Sequence, residues 1–424
     1  MKFEPQLHKL PNGLTVILDP MDAETVSFCV LFCTGSRDES PTEYGLTHFC
    51  EHMLCKGTLR FPDKKSVDDY FDYYSGTRNA ATGNRHLKFY GRILAENTDK
   101  LVDYIGDQLQ NSVFDPKKIE IEHDVVCDEL RRALDNPFRQ YDDFTSRELF
   151  NYATFSTRNL GTIESINSFN RDTIIEFLSR RLSAKNCIIC ASGKIDNPDR
   201  LLKYIEKTFA FLPSIDVPEN DSIEYTPKIA HNSQPDKQNV KIRILFTNKC
   251  GYGYDDLYQN RCVGFFERYI TRELNNIIRH ENGLVYGFGS IGFGNEKFSV
   301  NGFATETATK NIEKCVALIA KNAYRIYTEN KITDDDIDKM KRSAKLGRAD
   351  FIESSGQRCG RLIGFYRDYG RLYDFYKLTK LYDSATADDV IKYSRGYFDG
   401  PISILTQGAD FDTDLGAVWR ENFK

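Results

Sequence analysis

Residues 212–238, LPSIDVPENDSIEYTPKIAHNSQPDKQ, hold four prolines, are polar throughout and show no apolar period. Proline removes a backbone donor and fixes φ, so a run of this kind interrupts regular structure and predicts a linker between two separately folded halves. Ahead of it, apolar period and turn residues predict strands over 12–19 and 26–33, a helix over 44–56 and a second over 64–76. Two strands within 77–95, helices over 96–112 and 116–136, further helices to about 182, a strand over 186–192 and a helix near 197–211 complete the first half. Behind the linker the order restarts. A strand is expected over 240–247, a helix over about 256–281, two strands within 284–305, helices across about 308–396 and a last strand near 402–407. Each half is strand-first and helix-rich, an α+β order, and its repetition suggests a duplicated unit.

Several function classes are excluded early. The net charge is −5 and no Lys/Arg block is long enough to form a nucleic-acid surface, so no nucleic-acid partner is expected. No apolar run approaches the ~18 residues that a spanning helix needs, so no membrane partner is expected either. The opening MKFEPQLHKLPNGLTVIL has neither an apolar h-region nor an Arg-rich amphipathic character, and it is read as neither signal nor transit peptide. Eleven scattered cysteines fit reduced thiols better than a disulfide framework. A cytoplasmic setting follows, or an organelle matrix if a presequence has been removed. Cys187 and Cys190 form a C-x-x-C, but KNCIICASGKI reads as a buried strand on which positions three apart face opposite ways.

The chain has seven histidines, and two of them stand four apart in HFCEH, residues 48–52. At about 100° per residue, His48, Glu51 and His52 share one helix face, while Leu46, Phe49, Cys50, Met53 and Leu54 form an apolar back. Two imidazoles at i and i+4 can reach one zinc ion, and a neighbouring carboxylate can serve as a base. The bland alternative is two polar residues on a helix surface. A third ligand would come from elsewhere. In IEIEHDVVCDELRR, Glu122 and Glu129 lie seven apart on one helical stripe, anchored by Val125, Val126 and Leu130. The alternative here is a solvated acidic stripe. Cys55 projects near the histidines but sits at the helix end, and Cys50 points to the apolar back.

The segment GLTHFCEHMLCKGT (45–58) resembles the inverted H-x-x-E-H zinc motif of the M16 family, which includes insulysin and the mitochondrial processing peptidases. Glu129 follows His52 by 77 residues, within that family's spacing to its third ligand, and EHDVVCDEL (122–130) resembles the family's E-x-x-V-V-x-x-E-[IL]. The resemblance implies His48, His52 and Glu129 as ligands of one Zn²⁺ per chain, Glu51 as general base and Glu122 as a supporting acid. NAAT (79–82) resembles the edge strand that takes substrate backbone, implying Asn79 and Ala80 as substrate-binding residues. RHENGLVY (279–286) resembles R-x-x-x-G-L-x-Y, implying that Arg279 holds substrate and that Tyr286 both binds it and helps the reaction. The bland readings are a solvated arginine and a strand-core tyrosine. LGT (160–162) fits a family turn without the proline-glycine that precedes it there.

The resemblance implies an α+β fold of two similar LuxS/MPP-like domains, each a mostly antiparallel sheet packed with helices. The expected division is a catalytic zinc-binding domain over 1–213, a linker over 214–238 and a substrate-binding domain over 239–424. It implies a zinc metalloendopeptidase that cuts unfolded peptides or presequences in an enclosed chamber. A homodimer is expected, or a heterodimer with a related subunit. The alternative is a non-catalytic peptide-binding or scaffold subunit of such a heterodimer.

Overall fold

The computed structural model describes residues 3–150, 159–220, 225–247, 251–294 and 298–424. The chain divides into two compact units. The first comprises Met1–Arg147, Asn151–Ile223 and Gly347–Tyr373, and the second Glu148–Phe150, Glu224–Leu346 and Asp374–Lys424. A stretch from the second half of the sequence therefore packs with the first unit.

The first unit's sheet holds β1 (Gln6–Lys9), β2 (Thr15–Pro20), β3 (Thr25–Phe32), β4 (Thr77–Thr82), β5 (Leu87–Leu94) and β6 (Cys187–Gly193) in the spatial order β1-β2-β6-β3-β5-β4. β2 and β6 run parallel, and the other neighbours are antiparallel. The second unit's sheet holds β7 (Ile229–Ser233), β8 (Asn239–Thr247), β9 (Val285–Gly294), β10 (Ser299–Ala308) and β11 (Ile402–Gly408) in the order β7-β11-β8-β10-β9. Here only the first and last strands, β7 and β11, run parallel. Leaving out β1, the two sheets have the same topology. One detail of backbone repeats with it. Gly193 and Gly408 end the last strand of their sheets at φ +143 and +144, where a Cβ would come within 2.1 Å of the carbonyl oxygens of Thr25 and Asn239 respectively. Only glycine fits either position.

This repetition corrects the linker. Residues 229–233 are the strand β7, which completes the second sheet as β2 completes the first, while residues 221–224 of the expected linker lie outside those described. The strand β1 likewise carries no strand signal in the sequence. Both are short, polar and half-exposed or exposed.

Each unit has its own apolar core. In the first, β2, β3, β5 and β6 send Val16, Phe28, Phe89 and Ile189 against helices on one face. Those used below are α1 (Leu46–Leu54), α2 (Lys64–Tyr73), α3 (Thr98–Gln110) and α4 (Pro116–Asp135). The opposite face is partly covered by the helix Ser355–Tyr369. Arg358 of that helix and Asp19 of β2 are fully buried and paired, Nε to Oδ2 at 2.7 Å and Nη2 to Oδ1 at 2.5 Å, with Ser192 donating to the same carboxylate. No helix among the described residues is long and apolar enough to cross a membrane.

Candidate functional site

The helix α1 begins where only glycine can stand. Gly45 has φ +89, and a Cβ there would fall 2.6 Å from the Leu160 carbonyl oxygen. Gly161 meets Tyr44 from the other side in the same way, so the LGT turn seats the start of the helix. The buried Glu39 carboxylate accepts from the amides of Gly45 and Thr47, each at 2.8 Å, and caps the first turn. Burial, the largest influence, raises its pKa to about 8 against the opposing pull of those bonds. Leu46, Phe49, Cys50, Met53 and Leu54 are all buried, as the helical period predicts.

The polar face of α1 meets α4. Nε2 of His48 lies 3.9 Å, and Nε2 of His52 3.7 Å, from Oε2 of Glu129. Ligand atoms of these three residues all lie within 4.8 Å of one another. His52 turns its other nitrogen away, Nδ1 donating to Glu122 Oε1 at 2.6 Å. That bond leaves the Nε2 lone pair directed at the cluster. Glu122 is almost wholly buried, and its second oxygen pairs with Lys56 Nζ. Burial alone would raise the Glu122 carboxyl, but the bonds from His52 and Lys56 and the lysine charge hold it below its ordinary value. His48 is buried, and burial, then the neighbouring His52, holds its imidazole down at about 3, in the neutral form a metal ligand needs. Two imidazole nitrogens and one carboxylate oxygen gathered this closely are a donor set that fits zinc.

Glu51 stands on the same helix, and its Oε2 accepts from Thr82 Oγ1 at 2.5 Å. Partial burial raises its pKa first of all, against the lowering effect of the Thr82 bond. Thr82 ends β4, the open edge of the first sheet, which also carries Asn79 and Ala80. The Ala80 amide donates to Asn79 Oδ1 at 2.9 Å. A cavity of about 430 Å³ opens beside them, lined among others by Glu51, His52, Asn79, Tyr104 and Val125. Val125 was expected to anchor α4. It is instead 40% exposed, and Ile119, Val126, Cys127 and Leu130 form the buried face. Cys55 is not part of the cluster, its sulfur accepting from Gln108 Nε2 at 3.0 Å.

The structure thus gathers His48, Glu51, His52, Glu122 and Glu129 in the first unit, with Asn79 and Ala80 on the adjoining edge. In the second unit it places Arg279 beside Tyr286, the guanidinium carbon 5.5 Å from the ring. Arg279 lies in a widened, π-helical final turn, and Tyr286 is the second residue of the edge strand β9. Tyr286 is 91% exposed, which removes the strand-core reading. Sequence reasoning missed Lys56, Thr82 and Glu39. Lys56 follows His52 by four residues, a spacing that could have pointed to it, whereas Glu39 gave no local signal.

Comparison with known proteins finds a family model described as Insulinase (Peptidase family M16) over residues 15–161 and one described as Peptidase M16 inactive domain over residues 168–344. An uncharacterized zinc protease of Rickettsia bellii is 27% identical, over 94% of this chain and 96% of its own length. The mitochondrial-processing peptidase subunit beta of Dictyostelium discoideum is 30% identical over 49% of this chain and 44% of its own. Among solved structures, a peptidase M16 inactive domain from Pseudomonas fluorescens superposes with a TM-score of 0.83 at 16% identity, covering 97% of this chain and 99% of that one. At that identity the likeness concerns the fold.

Proposed function

The chain belongs to peptidase family M16, and on that premise we propose that it is a zinc-dependent endopeptidase acting on unfolded peptides or presequences. The observation that carries this reading is the convergence of His48, His52 and Glu129 from two helices, with Glu51 beside them. His48 Nε2, His52 Nε2 and a Glu129 oxygen would hold one zinc ion. Bound there, zinc supplies a Lewis acid that polarises a carbonyl and makes water easier to deprotonate.

The rest of the chemistry falls to this chain's own residues. Glu51 takes a proton from the attacking water and returns it to the departing amine, and the Thr82 hydroxyl fixes which carboxylate oxygen is presented. Glu122 holds the His52 ring in one tautomer and orientation. The open edge of β4 binds the peptide backbone with little demand on its sequence, Asn79 releasing the Ala80 amide as it does so. Arg279 would hold a substrate carbonyl and Tyr286 would donate to the oxygen of the attacked one. The substrate is enclosed in a chamber that needs a second two-domain chain, either a copy of this one or a related subunit.

Cleavage of a quenched peptide before and after chelation, and after zinc is restored, tests the reading. Turnover should vanish and return with the folded state unchanged. Turnover that persists in metal-free protein overturns it. The alternative, a non-catalytic binding subunit, predicts peptide binding with no turnover in zinc-loaded protein.

A further inference from the structure

The first sheet has a second cavity, on the face away from α1. It measures about 680 Å³ and lies wholly within the first unit, between β3, β4 and β5 and the helix Ser355–Tyr369. The helix presents glycines there every fourth residue, Gly356, Gly360 and Gly364. A Cβ at Gly360 or Gly364 would meet nothing within 4 Å, so the missing side chains leave the space open.

What lines the opposite wall is cationic. Lys88 and Arg92 project from β5 with Tyr90 between them, and Arg367 lies at the helix end with one guanidinium nitrogen 3.3 Å from His86 Nδ1. No carboxylate lines the cavity among the described residues. Arg367 is paired with Asp368, but Lys88 rests over the Tyr90 ring at 5.2 Å and has no carboxylate partner among the described residues. Arg92 donates to a neutral hydroxyl, Thr25 Oγ1.

Strand register ties this wall to the edge on which the proposed substrate lies. Thr77 stands opposite Arg92, Asn79 opposite Tyr90 and Ala81 opposite Lys88, and residues directly opposite share a face. Thr82, one step out of that alternation, faces Glu51. A peptide paired with β4 would therefore send every second side chain toward the cavity and the others toward the α1 side. Such a peptide would lie about 10 Å from β5. Lys88 and Arg92 need only pass over the small Ala81 and Thr77 to approach it.

We propose that this cavity is a side-chain subsite for acidic residues, so that preferred peptides carry aspartate or glutamate at alternate positions facing Lys88 and Arg92. The inference rests on the peptidase reading only in taking β4 as the peptide's seat.

The test measures binding and cleavage separately. Fluorescent peptides, acetylated and amidated so that only side chains carry charge, have one glutamine at a time replaced by glutamate or lysine. Their affinity is measured for the zinc-loaded Glu51→Gln chain. Glutamate at alternate positions should tighten binding about five-fold over glutamine, and lysine should weaken it. Lys88→Glu should reverse that order. Gly364→Leu, which fills the cavity where no atom stands, should abolish the preference while the all-glutamine peptide binds as before. Equal affinities at every position, a preference that survives both variants, or no binding of the parent peptide each overturn the subsite. Cleavage of the parent peptide by the unaltered enzyme reports on the peptidase reading alone. If it is cut with no acidic preference, only the subsite is lost.

Discussion

His52 and Glu122 are joined by a 2.6 Å hydrogen bond between Nδ1 and Oε1, made across two helices that are seventy residues apart in the chain. The bond points the other imidazole nitrogen at Glu129. A buried acid outside the three-residue cluster thus decides how one member of that cluster is presented.

Glu122→Gln should therefore weaken zinc binding by about 10–100-fold, because the amide cannot enforce the same tautomer. Competition against a chromogenic chelator measures it. Glu122→Ala should in addition cost stability, since it leaves Lys56 without its carboxylate. Unchanged zinc affinity in the glutamine variant would remove the orienting role.

Glu51→Gln should keep zinc and the folded state and lower kcat by at least about a hundred-fold, the usual worth of a general base. Metal content together with single-turnover rates distinguishes this from loss of the site. A variant that turns over normally would show that Glu51 does not carry the proton.

On the proposed mechanism Thr82 acts through Glu51, as a positioning residue. Thr82→Val removes the 2.5 Å bond and should lower kcat by about ten-fold with KM little changed, while Thr82→Ser should restore it. A loss confined to KM would assign Thr82 to peptide binding instead.

Glu39 should give the protein a pH-dependent stability. Burial lifts its carboxyl to about 8, against about 4.3 in an unfolded chain. Between those values the folded protein holds a proton that the unfolded chain has released, so this group's contribution to stability falls as pH rises from about 5 to about 8. His48, lowered by burial to about 3, acts in the opposite direction below its unfolded pKa. The quantity to compare is therefore the difference between the wild-type and Glu39→Gln unfolding curves. That difference should slope across the window, and a flat one would show that Glu39 is ionised in the folded state.

Arg358→Met should destabilise the first unit by about 3–5 kcal/mol, because it leaves the Asp19 charge buried without its partner. Denaturant unfolding measures the loss. A change under about 1 kcal/mol would show that the pair contributes little to holding this helix on the sheet.

How much of this was legible in the sequence differs from element to element. The shared face of His48, Glu51 and His52 and the buried back of α1 follow from helical period alone, and the structure has both. The stripe of Glu122 and Glu129 was equally visible. Val125 sits at the margin of the buried face that Ile119, Val126, Cys127 and Leu130 form, so an apolar side chain on α4 is not by itself a buried one. The strand IAHNS gives no strand signal in the sequence, because most of its residues have little strand preference of their own. Pairing with β11 makes it a strand.

The sequence by itself determined which side chains share a face, since the period of a helix or strand is a local property of the backbone. It also determined that the chain has two halves of like order. Only the tertiary structure decided which faces meet: that α1 lies against α4, that Lys56 reaches Glu122, and that residues 347–373 join the first unit. An amphipathic helix specifies that it must be covered but not by what. That choice is made by packing and charge pairing between segments far apart in the chain, where local spacing carries no information.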